Sequence, residues 1–318
     1  MVHFQENVSL KNHSSYRIGG PARYFFEARN LEEVKAAISR FRQIEEKQDI
    51  KLPLFILGGG TNVLFSDQGF PGLILKINLN FIRWQDNGRV QAGAGVLMSE
   101  LVQLSVQKKL AGLEWAAGLP GTIGGAVRGN AGAFGSEIKN LIVEVLSINF
   151  CEPGLIIRRS NKDCLFSYRS SIFKETGNQE IIIEAGLKLF PGGRETIEKK
   201  IREYIDYRQF KQPLEYPSAG SVFKNVPWEK LPAEHQEFFL NKKKEEPFPV
   251  VPAACLLAEA GLRGKRRGGA EISEKHSNFI INKNNAASDD VVFLIELAKK
   301  TVRDKFGVEM EEEIKIIG

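Results

Sequence analysis

Two glycine-rich segments in the first half of the sequence offer the clearest chemistry. Of the 30 glycines, 16 fall between Gly58 and Gly135, about a quarter of the 318 residues. The first segment follows the apolar stretch PLFIL, which predicts a strand, and its glycines can turn successive N–H groups toward a phosphate. A tight loop without a ligand explains the same residues equally well. The residues concerned are Gly58, Gly59, Gly60, Thr61 and Asn62.

The second segment, residues 116–135, reads AAGLPGTIGGAVRGNAGAFG. Small and turn-forming residues alternate here, so few side chains can fill the space, and a flat ligand such as a flavin ring can lie against the backbone. A glycine-rich structural loop is the alternative. Neither segment contains a histidine or cysteine that could tether such a ring. The expected contacts are Gly118, Pro120, Thr122, Gly124, Asn130 and Gly132.

Composition narrows the class of protein. Forty-four Lys and Arg against 39 Asp and Glu give a net charge of +5, which suits an anionic small molecule but falls short of a nucleic-acid-binding stripe. No apolar run approaches the roughly 18 residues that span a bilayer, and no signal peptide opens the chain, so we expect a cytoplasmic protein without a membrane partner. The three cysteines have no CxxC spacing, which predicts neither a disulfide framework nor a metal site.

The elements that position these residues follow from periodicity and caps. Asn30 and Glu33 form a capping box before an amphipathic helix at 31–47, and Asn87-Gly88 predicts a hairpin turn. A Pro-, Ser- and Gly-rich stretch after residue 210 predicts a domain boundary. Further helices are predicted at 98–112, 194–209, 253–260 and 288–306. Further strands are predicted at 72–77, 141–149, 155–159, 180–190, 221–224 and 278–282.

Residues 308–317 alternate apolar and charged side chains, which predicts a strand. The alternation directs Val308, Met310, Ile314 and Ile316 to one face. It directs Glu309, Glu311, Glu313 and Lys315 to the other, where a carboxylate can face a cleft.

Seven motifs together resemble one enzyme family. They are NHSSYRIGG, LGGGTNVLFSDQGFPGLIL, AGLPGTIGGAVRGNAGAFG, SYRSSIF, AGSVFKN, SEKHSNFIIN and EEEIKIIG. Their order and spacing resemble the family of UDP-N-acetylenolpyruvoylglucosamine reductase over nearly the whole chain. No tyrosine occurs between Arg169 and Tyr204, so the sequence is similar to the shorter type, which lacks a tyrosine-bearing loop over the substrate.

The resemblance implies an α+β protein with the FAD-binding fold of the vanillyl-alcohol oxidase type. It implies two α/β FAD-binding subdomains at 1–75 and 76–210, and an α+β substrate domain at 211–318. It further implies non-covalent FAD, NADPH as co-substrate, and a monomer that reduces an enolpyruvyl UDP-sugar to UDP-N-acetylmuramate.

The resemblance also implies roles for individual residues. Arg169 matches the arginine that stabilises charge on the substrate carboxylate, Ser221 matches the proton donor, and Glu313 matches the acid that assists stabilisation of the enolate. The implied substrate contacts are Tyr168, Lys211 and Asn225. Without the resemblance, an ordinary strand, turn or surface position is the better explanation of Arg169, Ser221, Glu313, Lys211 and Asn225.

Two other functions remain open at this point. A flavin-dependent oxidase of the same superfamily would share the first half of the chain and use oxygen. A non-catalytic nucleotide- or RNA-binding protein would use the basic run RGKRRGG at residues 263–269, although a solvated loop is the better explanation of that run.

Overall fold

A computed structural model describes residues 2–177 and 179–318. Its α-helices are α1 Leu31–Gln48, α2 Met98–Gln107, α3 Ile123–Arg128, α4 Ile172–Glu175, α5 Arg194–Lys211, α6 Ala233–Phe239, α7 Ala253–Glu259 and α8 Ser288–Phe306. Throughout these two ranges, every helix is too short or too polar to cross a membrane.

Twenty strands complete the described part of the chain. They are β1 Gln5–Ser9, β2 Pro21–Ala28, β3 Leu54–Leu57, β4 Val63–Phe65, β5 Phe70–Ile77, β6 Ile82–Trp84, β7 Arg89–Gly93, β8 Leu110–Ala111, β9 Gly132–Ala133, β10 Ser136–Glu137, β11 Ile142–Asn149, β12 Ile156–Ser160, β13 Glu180–Lys188, β14 Phe190–Pro191, β15 Val226–Pro227, β16 Val250–Val251, β17 Arg266–Arg267, β18 Ala270–Ile272, β19 Ile280–Asn282 and β20 Lys315–Ile317.

The chain divides into two compact units. Unit 1 comprises Met1–Val8, Ala22–Gly59 and Pro71–Tyr207, and unit 2 comprises Ser9–Pro21, Gly60–Phe70 and Arg208–Gly318. Helix α5 passes from one unit into the next between Tyr207 and Arg208.

Unit 1 is built on two sheets. One has the strand order β1-β2-β5-β3, with β3 and β5 parallel, and the other has the antiparallel order β12-β11-β13-β7-β6. Helix α1 begins as predicted, because Asn30 Oδ1 accepts the Glu33 amide at 2.9 Å while Glu33 Oε2 accepts the Arg29 amide at 2.7 Å. Its apolar face buries Val34 and Phe41 in the core of this unit.

Unit 2 has small sheets around a separate apolar core. Strands β17, β18 and β19 form one sheet in that order, and β4 pairs in parallel with β20. Helix α8 has the predicted bounds, 288–306, and buries Leu294, Ile295 and Val302 in this core.

Some predicted boundaries were wrong. Helix α2 ends at Gln107 rather than at Gly112, because Lys109 has a left-handed φ of 57° and the chain then pairs as β8 with β14. Residues 221–224 form no named strand; Phe223 makes an isolated bridge to Glu312. Helix α6 lies in a stretch for which the sequence predicted no element, since its pattern is dominated by polar residues.

The C-terminal alternation was correct only up to Ile314. Val308, Met310 and Ile314 are buried as predicted, but Ile316 is 44% exposed and Ile317 is buried instead. The chain bends at residues 313–314 before β20 begins, and a shift of one residue sends every later side chain to the opposite face.

Candidate functional site

Gly58 and Gly59, the first two residues of the first glycine-rich segment, lie directly against the second segment within unit 1. A Cβ added to Gly58 would lie 2.7 Å from Thr122 Oγ1, and one added to Gly59 would lie 3.0 Å from the Cα of Gly121. Real side chains almost never approach as closely as 2.7 Å, and 3.0 Å is tight, so both positions favour glycine, Gly58 most strongly. Residues that the sequence predicted to serve a single ligand are therefore neighbours.

The link that leaves β3 carries a run of unused backbone donors. Within residues 2–177 and 179–318, no acceptor receives a hydrogen bond from the amides of residues 58–62. Gly60 has a φ of +66°, and a Cβ there would lie 2.0 Å from the carbonyl oxygen of His13. Consecutive N–H groups without protein acceptors at a strand end can bind an anion.

The second glycine segment is held by backbone hydrogen bonds to the loop that follows β7. The amides of Ile123 and Gly124 donate to the carbonyl oxygens of Val96 and Ala94, both at 2.9 Å. Thr122 caps α3 by accepting the Gly125 amide at 3.4 Å. Backbone and hydroxyl contacts thus fix the start of α3.

Gly118 and Gly121 both adopt left-handed φ, 74° and 115°, on either side of Leu119 and Pro120. An L side chain at either glycine would be strained. The predicted contacts Gly118 and Pro120 therefore lie on a turn whose shape depends on glycine.

Asn130 is fully buried, and its amide group is engaged inside unit 1. Nδ2 donates to Ser167 O at 2.8 Å and to Glu137 Oε1 at 3.2 Å, while Oδ1 accepts the Lys139 amide at 3.3 Å. Asn130 therefore joins the glycine segment to the loop that begins at Ser167. A direct contact with a cofactor stays a prediction.

Arg169 lies at the tip of that loop. Ser167 and Ser170 exchange backbone hydrogen bonds of 3.1 and 3.2 Å, and Arg169 between them has a left-handed φ of 55°. Its guanidinium carbon lies 5.4 Å from the ring centroid of Tyr168, and its Nε atom is buried. The loop that carries Arg169 is attached to the glycine segment, because Asn130 Nδ2 donates to Ser167 O.

Ser221 and Glu313 lie on adjoining backbone segments of unit 2. The Glu313 amide donates to Val222 O at 2.7 Å, and the Lys224 amide donates to Glu311 O at 2.9 Å. Phe223 and Glu312 are bridge partners in the same antiparallel pair. Ser221, the predicted proton donor, thus immediately precedes Val222, which is hydrogen-bonded to Glu313, the predicted acid.

Asn278, which the sequence analysis did not single out, holds the other side of this segment. Its carbonyl oxygen accepts the Val222 amide at 2.8 Å, and its side chain accepts the Phe223 amide and donates to the Phe223 carbonyl oxygen, both at 2.9 Å. Only 4% of Asn278 is exposed. A polar residue opening the apolar run NFII is a weak signal, and only the fold shows its partner.

Asn62 fixes the backbone of Glu313 from a distant part of the sequence. Asn62 Nδ2 donates to Glu313 O at 3.0 Å, and the Lys315 amide donates to Asn62 O at the same distance. Asn62, predicted to bind the cofactor, and Glu313, predicted to take part in catalysis, are therefore direct neighbours in unit 2.

The predicted substrate contacts have separate positions. Tyr168 belongs to unit 1, whereas Lys211 is the exposed last residue of α5, with its Nζ 5.0 Å from the Phe210 ring centroid. Asn225 Oδ1 accepts the Ala253 amide at 3.1 Å, where α7 begins. Asn225 thus has a structural contact of its own.

Sequence comparisons decide which family these residues belong to. A profile described as the C-terminal domain of UDP-N-acetylenolpyruvoylglucosamine reductase matches residues 212–317, and one described as an FAD binding domain matches residues 22–150. The UDP-N-acetylenolpyruvoylglucosamine reductase of Caldanaerobacter subterraneus subsp. tengcongensis is 40% identical over 98% of this chain and 93% of its own. That of Carboxydothermus hydrogenoformans is 38% identical over the same shares. This chain belongs to the UDP-N-acetylenolpyruvoylglucosamine reductase family.

A solved structure of the reductase family agrees. The crystal structure of UDP-N-acetylenolpyruvylglucosamine reductase from Thermus caldophilus has a TM-score of 0.76 and 28% identity, and it covers 99% of this chain and 100% of that chain. The predicted α+β class and FAD-binding fold are confirmed. The predicted enzyme class, an oxidoreductase, is confirmed as well, and FAD is the cofactor.

The residues of this family member fit FAD. The unused amides of residues 58–62 suit a diphosphate. Gly118 and Pro120 in the second segment are exposed. Across the described residues, no group of three His, Cys, Asp or Glu side chains is placed to hold a metal ion.

Two arginines of the basic run that a nucleic-acid-binding protein would use make contacts within unit 2. Arg266 pairs with Glu271, which also accepts Lys283 Nζ at 2.8 Å. The Arg267 guanidinium lies 4.8 Å from the Phe293 ring centroid. These contacts support a structural role for the run.

Proposed function

We propose that the protein reduces the enolpyruvyl group of UDP-N-acetylglucosamine-enolpyruvate to give UDP-N-acetylmuramate, a peptidoglycan precursor, with NADPH as co-substrate. The observation that carries the proposal is the pairing of the segment after Ser221 with residues 311–313. That pairing lies within the region that matches the reductase C-terminal domain.

Residues 58–62 and the segment containing Gly118, Pro120, Thr122, Gly124 and Gly132 would hold FAD. When bound, FAD would supply the redox chemistry, namely the transfer of hydride from NADPH to the methylene carbon of the enolpyruvyl group. The protein must therefore bind a carboxylate, stabilise the enolate and provide one proton.

Arg169 would bind the substrate carboxylate. A planar guanidinium matches a carboxylate with two parallel hydrogen bonds, and the positive charge becomes more valuable as the enolate forms. The left-handed backbone at Arg169 and the paired serines on either side support this role, because they hold the base of the side chain in one place.

Ser221 would donate the proton to the carbon next to the carboxylate, which completes the addition of one hydride and one proton across the double bond. A serine hydroxyl is a weak acid, so its position must be well defined. Asn278 and Glu313 provide that definition through the two hydrogen bonds of Val222. Glu313, itself held by Asn62, would assist stabilisation of the enolate.

Lys211 and Asn225 would contact the diphosphate and sugar of the substrate, with Tyr168 beside Arg169. An exposed ammonium at the end of α5 suits a phosphate, since Lys carries three donors on a flexible stem. The monomeric state stays a prediction, and light scattering of the purified protein tests it.

Stopped-flow absorbance under anaerobic conditions tests the function. NADPH should bleach the flavin band, and the enolpyruvyl UDP-sugar should restore it with formation of one UDP-N-acetylmuramate per flavin. If oxygen restores the band faster than this substrate does, the protein is an oxidase of the same superfamily and the proposal is wrong.

A further inference from the structure

The second glycine segment contains a hairpin with an unusual tip. Ser136 pairs with Ala133 and Glu137 with Gly132, which leaves Phe134 and Gly135 as a two-residue loop. Both loop residues have positive φ, 53° and 75°. Two-residue hairpins of this kind favour Asn, Asp or Gly at their first position, so a phenylalanine there is strained.

Aromatic contacts on α5 hold this phenylalanine in place. The ring of Phe134 stacks on Tyr204 with centroids 4.1 Å apart and an interplanar angle of 17°. It meets Tyr207 edge-on at 5.4 Å and 82°. Tyr204 and Tyr207 are three residues apart, so they project from the same side of the helix. All three rings belong to unit 1.

The base of the hairpin is fixed independently. The Ile138 amide donates to Ala131 O at 2.8 Å, and the buried Glu137 carboxylate accepts Asn130 Nδ2. A Cβ on Gly132 would lie 2.6 Å from Ser136 O, which leaves the hairpin no room for a larger residue. The aromatic contacts therefore act on the tip alone.

We propose that Phe134, Tyr204 and Tyr207 form an aromatic clamp that positions the hairpin for FAD. Phe134 is thus a positioning residue: its ring holds the tip on α5, and the hairpin in turn keeps the backbone from Gly118 to Gly132 in the shape that the cofactor requires. The proposal depends on FAD binding and not on which sugar nucleotide is reduced.

Two substitutions separate the effect of the Phe134 ring from the effect of the left-handed backbone in the turn. Phe134→Asn suits the left-handed position but removes the ring, whereas Phe134→Tyr keeps the ring. Titration of apo-protein with FAD, followed by flavin fluorescence, should show affinity about three- to tenfold weaker for Phe134→Asn and unchanged for Phe134→Tyr. Phe190→Asn removes an aromatic ring that is 52% exposed elsewhere in unit 1 and should leave FAD affinity unchanged.

A double-mutant cycle with Tyr204→Leu tests whether the two rings act together. The combined variant should bind FAD no more weakly than Phe134→Asn alone. Amide hydrogen exchange at residues 131–136 of the apo-protein should rise equally in all variants that lack the contact between the rings at 134 and 204. Equal FAD affinity for wild type and Phe134→Asn overturns the positioning role, even if exchange rises. A protein that binds FAD as expected but does not reduce the enolpyruvyl sugar contradicts the proposed function and leaves the aromatic clamp supported.

Discussion

The amide of Glu313 donates a hydrogen bond to the carbonyl oxygen of Val222 at 2.7 Å. Val222 directly follows Ser221, so the predicted acid lies beside the segment of the predicted proton donor. The two are 91 positions apart in the sequence. Asn278 occupies the opposite side of the Ser221 segment, so both edges of that short backbone stretch are occupied.

Ser221→Ala should slow only the second half-reaction. Loss of a general acid typically costs about 10²- to 10⁴-fold in rate, whereas flavin reduction by NADPH needs no proton from this residue. Stopped-flow measurement of each half-reaction separately checks this. Ser218→Ala, in the same loop, is the matched control and should affect neither half. Equal losses in both halves would refute the assignment of Ser221 as proton donor.

Arg169→Lys should lower kcat/KM for the enolpyruvyl substrate by about 10²-fold, because an ammonium keeps the charge but cannot make two parallel hydrogen bonds to a carboxylate. Steady-state kinetics at varied substrate concentration measures the change. Arg158→Lys serves as control, since Arg158 pairs at 2.6 Å with Glu144 at the surface of the large sheet. A wild-type value for Arg169→Lys would contradict the carboxylate-binding role.

Gly58→Ala should destabilise unit 1 by about 1–3 kcal/mol, because the new methyl group overlaps Thr122 Oγ1. Thr122→Ala alone should cost about 1 kcal/mol through loss of the α3 cap. The double variant should cost less than the sum, since removing the hydroxyl makes room for the methyl group. Urea unfolding measures all three, with Gly154→Ala as a control in open space. Strict additivity would show that the two segments do not compete for this space.

His276 predicts a pH dependence of stability. Burial lowers the pKa of His276 to about 4, the nearby charges of Lys244 and Arg263 act in the same direction, and no described residue hydrogen-bonds to Nδ1. The imidazole of His276 is protonated near pH 6.5 in the unfolded chain but only near pH 4 in the folded chain. Stability from this group is therefore complete above pH 6.5 and falls by about 1.4 kcal/mol per pH unit between these values.

His276→Phe removes that dependence and retains an aromatic ring for the edge contact with Phe279, whose centroid is 4.8 Å away. Free energies of unfolding at pH 7.5 and pH 5 should differ less in the variant than in the wild type. The exposed His3 provides the comparison, and His3→Gln should keep the wild-type difference. An unchanged difference in His276→Phe would mean that another group causes the acid sensitivity.

Local signals in the sequence predicted the parts of the fold that depend on local chemistry. Asn30 and Glu33 fix the start of α1 through their own hydrogen bonds, so their spacing alone was sufficient. The glycine segments were recognisable because few residues other than glycine allow such close backbone contact. The pairing of Gly59 with Gly121 was not recognisable, since it depends on strands far apart in the sequence.

Long-range contacts explain what the sequence did not predict. Lys109 ends α2 in a left-handed conformation that its residue type does not favour, because β8 must pair with β14. Ile316 is exposed because β20 takes its register from β4, not from the alternation of its own residues. Asn278 resembles any polar residue before a strand until Phe223 is placed beside it.

The parallel pair of Val63–Phe65 with Lys315–Ile317 sets an order for folding during synthesis. Unit 2 takes its chain from three separate stretches, and its strand β4 pairs with residues that the ribosome adds 252 positions later. All residues of unit 1 have been synthesised once Tyr207 has left the ribosome. Strand β4, by contrast, has an unpaired edge until β20 has been synthesised. A nascent chain that stops short of residue 315 therefore exposes that edge to other chains, and loss of the last strand should appear first as aggregation.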